Sequence, residues 1–361
     1  MPDINVEKIV GALKSSNGKC LMLADGFVDE VWEIVSSRAS AKDYVTYKQM
    51  AQFADRILGS GTGGVGLELI LKRRSFGGFV SNTSYATSHL GVDTTMVGVF
   101  GEGSLDRAFD EISKLCHIFS VGAPGVTHIF EFEDGKVMMS HIETVQDLRW
   151  QSIVDRLGTE KTLSLLVESN IIGVGYWSLL PGFDEIVEQI CAHLPQDNKT
   201  RRFFFDFADF RKKDEASLLS TLEKLKKLNE KFPMTLSVNE HEAAALFAMY
   251  NQTLDNEGSS VQEKVEYVRK QIGLDEFVVH TPHYAASASS IEKPAFATCL
   301  FCEKPLRTAG AGDTFNGGYM AAVLAGLDAT ERLHVANAAV GYFLRNAAPP
   351  DIDSLCKQLN A

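Results

Sequence analysis

Arg307-Thr-Ala-Gly-Ala-Gly-Asp-Thr-Phe-Asn-Gly-Gly318 is the stretch of this 361-residue sequence that decides the fold. It continues into an Ala-rich apolar run, residues 319–326, so the turn Gly310-Ala311-Gly312 is predicted to open a helix. The first N–H groups of a helix have no partners within the helix and carry the positive end of its dipole. Because glycine lets an anion approach the backbone closely, the turn is predicted to bind a phosphate group.

Asp313 follows this turn and lies in the predicted first turn of the helix. Beside an anion pocket, a carboxylate is placed to take the proton from an attacking hydroxyl, so the turn and the acid together favour phosphoryl transfer. The alternative is a plain strand-to-helix turn in which Asp313 only caps the helix. Taken alone, residues 307–318 allow both interpretations.

Composition disfavours several kinds of partner. The sequence has 47 Asp and Glu against 35 Lys and Arg, a net charge of −12, which would repel nucleic acid and anionic membrane surfaces. Its 45% hydrophobic residues are an ordinary share for a globular protein, and no apolar run reaches the length of a membrane span. Six cysteines are too sparse for a disulfide framework, and residues 1–10 lack the pattern of a signal peptide. We therefore expect a cytoplasmic protein.

Apolar runs and amphipathic segments alternate through the second half of the chain, which predicts a parallel sheet with helical crossovers. Strands are expected at 19–23, 95–100, 171–175, 202–206, 234–238 and 277–281, and a β-hairpin between 126 and 141. Helices are expected at 45–58, 182–193 and 216–231. Cys299-Leu-Phe-Cys302 is interpreted as part of a strand rather than as a metal or redox site.

The Gly-Ala-Gly-Asp turn resembles the C-terminal signature of the ribokinase family, also called the phosphofructokinase-B (PfkB) family of carbohydrate kinases. Gly77-Gly78-Phe-Val-Ser-Asn82, followed by Leu90-Gly91 and a strand, is similar to the N-terminal signature of that family. The resemblance covers about residues 19–345. It implies a three-layer α/β/α fold with a mostly parallel central sheet and a small β-sheet lid. It also implies an ATP-dependent kinase that transfers the γ-phosphoryl group to a hydroxymethyl group of a sugar or sugar-like substrate.

Within this resemblance, Asp313 is the catalytic base and the amides of Gly310, Ala311 and Gly312 form the anion hole. Asp29, five residues after Ala24 at the end of the first predicted strand, would contact substrate hydroxyls together with Gly77, Gly78 and Asn82. Asp29 also fits a solvated turn residue, and Asn82 an ordinary helix start. The segment Gly98-Val-Phe-Gly101-Glu102 has Glu where the family usually has Asp.

The nucleotide side of the site is implied by Asn239-Glu-His-Glu242, which matches the Asn-x-x-Glu motif of the family. Asn239 and Glu242 would organise Mg²⁺ and its waters around the phosphates, with Glu242 acting through water; the same pair also fits a helix capping box. Thr281 and Asn337 are candidate nucleotide contacts, although Asn337 also fits simple helix packing. The segment Thr281–Ala285 lacks the glycines that usually shape the nucleotide rim.

The resemblance implies one ribokinase-like domain over residues 1–361, with a lid formed by about 29–76 and 117–145 and a possible homodimer through the lid. The implied partners are a small sugar and ATP, with neither nucleic acid nor membrane. A nucleoside (adenosine-like) kinase and a non-catalytic ligand-binding or regulatory protein are the alternatives.

Arg307 departs from the family pattern, in which an Asp three residues before the Gly of the turn helps to hold an activating monovalent cation. Its guanidinium would repel such an ion and replace its charge, so we expect a monovalent cation not to be required. The alternative is that the long Arg307 side chain turns to solvent and backbone carbonyls hold the ion.

Overall fold

The computed structural model describes residues 4–195, 201–252 and 258–360. Of residues 1–10, in which no signal-peptide pattern was found, the first three lie outside the described residues. Its strands are β1 (Lys19–Leu23), β2 (Phe27–Arg38), β3 (Tyr44–Thr46), β4 (Glu68–Gly77), β5 (Asp93–Val99), β6 (His117–Gly122), β7 (Gly125–Phe132), β8 (Gly135–His141), β9 (Ile171–Val174), β10 (Arg202–Asp206), β11 (Met234–Asn239), β12 (Glu276–His280), β13 (Tyr284–Ser289) and β14 (Ala295–Thr298).

Its α-helices are α1 (Val6–Ser15), α2 (Met50–Leu58), α3 (Phe79–His89), α4 (Glu143–Gln146), α5 (Trp150–Leu157), α6 (Thr159–Glu168), α7 (Phe183–His193), α8 (Glu215–Asn229), α9 (Glu240–Met249), α10 (Gly258–Ile272), α11 (Ala311–Leu324), α12 (Ala329–Asn346) and α13 (Ile352–Leu359). Within the described residues, none of the helices combines the length and apolar character needed to cross a lipid bilayer.

A nine-stranded sheet forms the centre of the fold, in the order β14-β13-β12-β11-β10-β9-β1-β5-β6. The pairings from β12 through to β6 are parallel, whereas β13 is antiparallel to both of its neighbours, β12 and β14. Because these strands run in the same direction, the carboxyl ends of β1, β9, β10, β11 and β12 lie along one edge of the sheet. In open α/β sheets, ligands bind at this edge.

Side chains of the central strands alternate between two hydrophobic cores, one on each face of the sheet. Phe203 and Phe205 of β10 belong to the core shared with helices α5 to α10, whereas Phe204 lies in the core formed with α1, α3, α11, α12 and α13. All three phenylalanines are fully buried, as expected for a strand covered on both faces. The expected three-layer α/β/α fold with a mostly parallel sheet is confirmed.

A second, small sheet contains β3, β2, β7 and β8, with β4 paired to β2. The hairpin expected between 126 and 141 is present as the antiparallel pair β7 and β8. One predicted boundary is wrong: residues 117–122 form β6, which pairs with β5 in the large sheet rather than joining the small sheet. The edge strand β6 is only partly buried, so its sequence lacks the apolar run of the central strands.

Two further local predictions are wrong. The expected helix at 45–58 is a short strand followed by a shorter helix, because Tyr44–Thr46 pairs with β2 and the helix begins only at Met50. Cys299 and Cys302 lie beyond the end of β14, in a stretch without regular structure, and both are free thiols.

A buried ionic cluster anchors α11 in the second core. Glu276 of β12, only 1% exposed, accepts a hydrogen bond from the Tyr319 hydroxyl of α11 at 2.8 Å. Arg332 of α12 pairs with the same carboxylate at 3.1 Å, and the Thr235 hydroxyl donates to it at 2.9 Å. Since a buried charge is costly unless paired and hydrogen-bonded, these contacts fix α11 and α12 against the sheet.

Candidate active site

The turn at residues 310–312 has the predicted form. Gly310 is the N-cap of α11 with φ of +88°, a left-handed conformation that a residue with a side chain rarely adopts. The helix begins at Ala311, and Asp313 lies in its first turn with 6% exposure. Asp313 therefore lies beside the start of α11, where the expected anion site would form; of the N–H groups there, that of Ala311 donates to the Thr308 carbonyl at 3.1 Å.

A cavity of about 760 Å³ opens over this turn. Its walls come from the carboxyl edge of the large sheet, from α11 and α12, and from the small sheet through Lys136 and Met138 of β8. The polar side chains that line it include Tyr176, Asp206, Glu242, Thr281, Asp313 and Asn337. The cavity thus joins both candidate nucleotide residues to the anion turn.

Both carboxylate oxygens of Asp313 are hydrogen-bonded by neutral side chains. The Asn82 amide donates to Oδ2 at 2.9 Å, and the Tyr176 hydroxyl donates to Oδ1 at 2.8 Å. Burial raises the pKa of Asp313 to about 6, while these two hydrogen bonds and the Arg307 charge act in the opposite direction. Asp313 is therefore mostly ionised at neutral pH and able to accept a proton.

The N-terminal signature positions Asn82 through a second buried acid. Asp25, two residues beyond the end of β1, accepts hydrogen bonds from the backbone N–H groups of Phe79 and Val80, each at 3.0 Å, and so caps α3. The turn into α3 passes through Gly78, whose φ is +88°. A Cβ on Gly310 would lie 3.2 Å from the amide carbon of Asn82, so the two signatures meet in space.

Asp29 lies within β2 rather than in a turn after β1, which corrects the expected location of this side chain. It faces β4, and Gly77 leaves room for it: a Cβ on Gly77 would lie 2.5 Å from the Asp29 carboxylate. Burial raises the pKa of Asp29 to about 6, and Arg307 is the largest influence that lowers it. The negative charge of Asp313 also raises the pKa of Asp29, so the two carboxylates interact electrostatically.

Asn239 and Glu242 form a capping box at the start of α9. The Asn239 side chain accepts from the Glu242 N–H at 3.1 Å, and the Glu242 carboxylate accepts from the Asn239 N–H at 3.0 Å. Glu242 is nevertheless only 2% exposed, and burial, followed by the charge of Asp206, raises its pKa to about 9. The cap alone does not require a second carboxylate so near.

That second carboxylate, Asp206, ends β10 and faces the cavity. It accepts hydrogen bonds from the Ala208 N–H at 2.8 Å and from the Asn316 amide of α11 at 2.9 Å. Burial, followed by the charge of Asp313, raises its pKa to about 7. Because the charge of Asp313 raises the pKa of Asp206, and that of Asp206 raises the pKa of Glu242, a cation near these acids would be favourable.

Thr281 and Asn337 line the cavity, although part of their bonding capacity is used by the fold. The Thr281 hydroxyl accepts from the N–H groups of His283 and Tyr284 and donates to the Tyr284 carbonyl, so it shapes the turn between β12 and β13. The Asn337 amide donates weakly to the carbonyls of Ala297 and Thr298 at 3.3 and 3.4 Å. Its Oδ1 has no partner among the described residues.

Arg307 is partly buried. Its Nε donates to the Ala309 carbonyl at 3.0 Å, and its guanidinium lies 5.5 Å from the centre of the Phe343 ring. Burial, followed by the charge of Arg73, lowers its pKa, whereas Asp29 and Asp313 raise it. The positive charge thus acts on both candidate acids of the acceptor side.

Three site residues escaped the sequence analysis as individual candidates: Asp25, Tyr176 and Asp206. Each lies at or just beyond the carboxyl end of a central strand, which is the signal that could have found them. The contact between Tyr176 and Asp313 spans 137 positions in the sequence, so no local motif contains it.

Comparisons with known proteins agree with this geometry. The family model described as prokaryotic ketohexokinase matches residues 7–361. A ketohexokinase of Haloferax volcanii is 28% identical over 346 residues, covering 94% of this chain and 90% of that protein.

Solved structures share the fold. Arabidopsis thaliana ribokinase complexed with ribose and ATP has a TM-score of 0.67 at 16% identity, covering 96% of this chain and 99% of that one. Phosphofructokinase-2 from Escherichia coli, in complex with substrates and products, has a TM-score of 0.65 at 14% identity, covering 95% and 98%.

The fold and the family match together define a carbohydrate kinase of the PfkB class, a phosphotransferase that acts on a sugar hydroxyl. Within that class, the chain belongs to the prokaryotic ketohexokinase family.

Proposed function

We propose that this protein is an ATP-dependent kinase that transfers the γ-phosphoryl group to a hydroxymethyl group of a ketohexose. One observation carries the proposal: Asp313, buried and hydrogen-bonded at both oxygens, lies in the first turn of α11 beside the N–H groups of the anion turn. The ketohexose follows from the family match and from the Haloferax volcanii relative.

The proposed reaction needs a base and an anion site, and the chain supplies both. Asp313 takes the proton of the acceptor hydroxyl, whose oxygen forms a bond to the γ-phosphorus as the bond to the β–γ bridging oxygen breaks. The amides of residues 310–312, at the positive end of the α11 dipole, would stabilise the charge on the transferred group, with the Ala311 N–H exchanging its 3.1 Å hydrogen bond to the Thr308 carbonyl for one to the phosphoryl group. ADP leaves, and the proton on Asp313 returns to water.

The acceptor lies between the large sheet and the small sheet in this proposal. Asp29 and Asn82 would hydrogen-bond the sugar hydroxyls, while Gly77 and Gly78 let the chain approach the ring. Lys136 and Met138 bring β8 to the wall of the cavity, which supports a lid role for the small sheet. The lid would consist of β2, β3, β4, β7 and β8.

The acids opposite the anion turn fit a magnesium ion held through water. Glu242 and Asp206 are buried carboxylates with raised pKa values, and a cation would relieve their repulsion. Within the described ranges no cluster of three or more His, Cys, Asp or Glu side chains could hold a metal directly, which agrees with an ion bound mainly by phosphates and water. When bound, Mg²⁺ neutralises charge on the phosphates, and Asn239 would help to order its waters.

Thr281 and Asn337 are the proposed nucleotide contacts. Both line the cavity, Thr281 directly after β12 and Asn337 on α12. Because the Thr281 hydroxyl already bonds within its turn, we propose that this residue mainly shapes the rim. The solved ribokinase of the same fold was crystallised with ATP, which supports ATP as the donor.

The test is an ADP-release assay over ketohexoses, aldohexoses, pentoses, keto-deoxy sugar acids and nucleosides, with Asp313→Asn as the inactive control. We expect one or more ketohexoses to give the highest kcat/KM, and phosphorus NMR of the product to locate the phosphate on a hydroxymethyl group. A preference for nucleosides would assign the protein to that branch instead. Silence across the panel, with ligands still binding, would favour a non-catalytic member of the fold.

We also propose that the small sheet mediates a homodimer. Large apolar side chains on its strands are exposed, between 41% and 57%: Val45, Leu69, Leu71 and Met139. Such a group of exposed apolar residues favours association with a second copy. Light scattering should give twice the chain mass, and Leu69→Glu with Leu71→Glu should give the single chain mass.

A further inference from the structure

Tyr176 is held so that its hydroxyl meets Asp313. It follows directly after Gly175 and the end of β9, and its ring packs against Phe79 of α3 with the ring centroids 5.8 Å apart. Its hydroxyl donates to Asp313 Oδ1 at 2.8 Å. The opposite oxygen, Oδ2, is left to Asn82 at 2.9 Å.

The two donors differ in their surroundings. Tyr176 is fixed by ring packing and by the helical turn that follows it, in which the Leu179 N–H donates to the Tyr176 carbonyl. Burial raises the pKa of Tyr176 well above its ordinary value, so the phenol keeps its proton and remains a donor. Asn82 lies on the N-terminal signature, on the side where the acceptor is proposed to bind, and an amide can exchange one hydrogen bond for another.

Several charged groups act on Asp313 or are affected by it. Arg307 lowers its pKa. Asp25 beyond β1, Asp29 of β2 and Asp206 of β10 have their own pKa values raised by its charge. Burial and these negative neighbours favour a protonated Asp313, whereas the two neutral donors and Arg307 favour the carboxylate.

We propose that Tyr176 is a positioning residue for the phosphoryl transfer: it holds Asp313 Oδ1 throughout, keeps the carboxylate ionised, and leaves Oδ2 to take the acceptor proton when the sugar displaces the Asn82 amide. This inference rests on the proposed function of Asp313 as the base. The proton moves from the acceptor hydroxyl to Oδ2, the acceptor oxygen forms its bond to phosphorus, and the phenol of Tyr176 neither gains nor loses a proton.

The main test is Tyr176→Phe, which removes the hydroxyl and keeps the ring against Phe79. Loss of a hydrogen bond to a charged group should lower kcat at pH 7 by about tenfold to a hundredfold. It should also move the acid limb of the kcat–pH profile upward by about one pH unit or more, with the KM for ATP unchanged. Tyr250→Phe, at a partly buried tyrosine just beyond the end of α9, is the matched control and should leave both quantities as in the wild type.

Carbon-13 NMR titration of the Asp313 carboxyl group gives the same pKa without any turnover. The pKa of Asp313 should be higher in Tyr176→Phe than in the wild type, in agreement with the upward move of the acid limb. Incorporation of a fluorinated tyrosine at position 176, a stronger donor, should shift the pKa downward, which keeps the test available if the phenylalanine variant folds poorly. An Asp313 pKa that is the same in all three proteins overturns the inference. A wild type that binds sugar but never phosphorylates it overturns the proposed function instead, because the titration is independent of activity.

Discussion

Gly310 and Asn82 lie close together although they belong to different signatures: a Cβ at position 310 would lie 3.2 Å from the Asn82 amide carbon. The N-cap of the helix that carries Asp313 thus lies near the side chain that donates a hydrogen bond to Asp313. We therefore expect the side chain at position 310 to affect the hydrogen bond between Asn82 and Asp313.

Gly310→Ala should lower kcat by at least tenfold, because alanine at φ of +88° is strained and its methyl group would push Asn82 away from Asp313. Gly326→Ala, just beyond the other end of the same helix, is the control for strain alone. Gly326 also has a positive φ, +69°, but no atom lies within 4 Å of its Cβ position. Thermal unfolding should show similar losses of about 1 kcal/mol for both variants. Equal kinetic losses in the two would contradict an effect of position 310 on the hydrogen bond between Asn82 and Asp313.

Asp313→Asn should retain the fold and nucleotide binding while lowering kcat by roughly 10²–10⁴, the usual contribution of one general base. Calorimetric titration with a non-hydrolysable ATP analogue measures the binding, and ADP release measures the turnover. The matched control is Asp353→Asn, at an exposed acid of α13 far from the cavity. Turnover close to that of the wild type in Asp313→Asn would remove this residue from the mechanism.

Asp29→Ala should raise the KM for the sugar by about tenfold to a hundredfold, because a charge-assisted contact of roughly 1.5–3 kcal/mol is lost. Gly77→Ala should act in the same direction, since its Cβ would lie 2.5 Å from the Asp29 carboxylate and displace it. Neither variant should change the KM for ATP. An effect confined to ATP would show that Asp29 has been assigned to the wrong substrate.

The kcat–pH profile should have an acid limb near pH 6, because burial raises the pKa of Asp313 to about that value. The sign follows from the role of the carboxylate as a base: below the pKa it is protonated and cannot accept a proton, and above it kcat reaches a plateau. Since Asp206 in the same cavity also titrates, the limb reports the coupled group rather than one residue. A rate that rises as the pH falls below 6 would be incompatible with Asp313 as the base.

Arg307 should make turnover indifferent to potassium. The guanidinium is partly buried, acts on Asp29 and Asp313, and supplies a fixed positive charge beside the anion turn. An ion about 4 Å away would meet a repulsion of about 4 kcal/mol at an effective dielectric constant near 20. Equal kcat in potassium chloride and tetramethylammonium chloride at one ionic strength is expected, whereas Arg307→Asp should become potassium-dependent. Activation of the wild type by tenfold or more would refute the replacement.

The sequence predicted most of the large sheet because its central strands are covered on both faces. Such strands are continuous apolar runs, as in Phe203 to Phe205, and are recognisable without any knowledge of their neighbours. The edge strand β6 was misassigned for the opposite reason, since its residues are only partly buried. Residues 45–58 have the apolar spacing of a helix, but pairing with β2 places the first two, Val45 and Thr46, in a strand.

The candidate site was predictable where a motif is local. Gly310 to Asp313 lie within four consecutive positions, and their arrangement follows from helix geometry. Tyr176 and Asp206 were missed as partners because only the topology brings the ends of β9 and β10 to α11. Asp29 was identified as a candidate, but it was predicted to lie in a turn and instead lies in β2. A turn and the start of a lid strand look alike in sequence.

The Glu276 cluster has a consequence for the timing of catalysis. Tyr319, six residues beyond Asp313 on the same helix, is held by Glu276. We therefore expect the backbone around Asp313 and residues 310–312 to have little conformational freedom once the chain has folded. The entropy of orienting these groups is thus lost during folding rather than in each turnover, which is the meaning of preorganisation. The small sheet has its own hydrophobic cluster with α2, separate from the two large cores, so we expect movement during the reaction cycle to occur there. Substitutions at Glu276, which has no contact with the cavity, should therefore lower the rate by loosening the helix that carries the base.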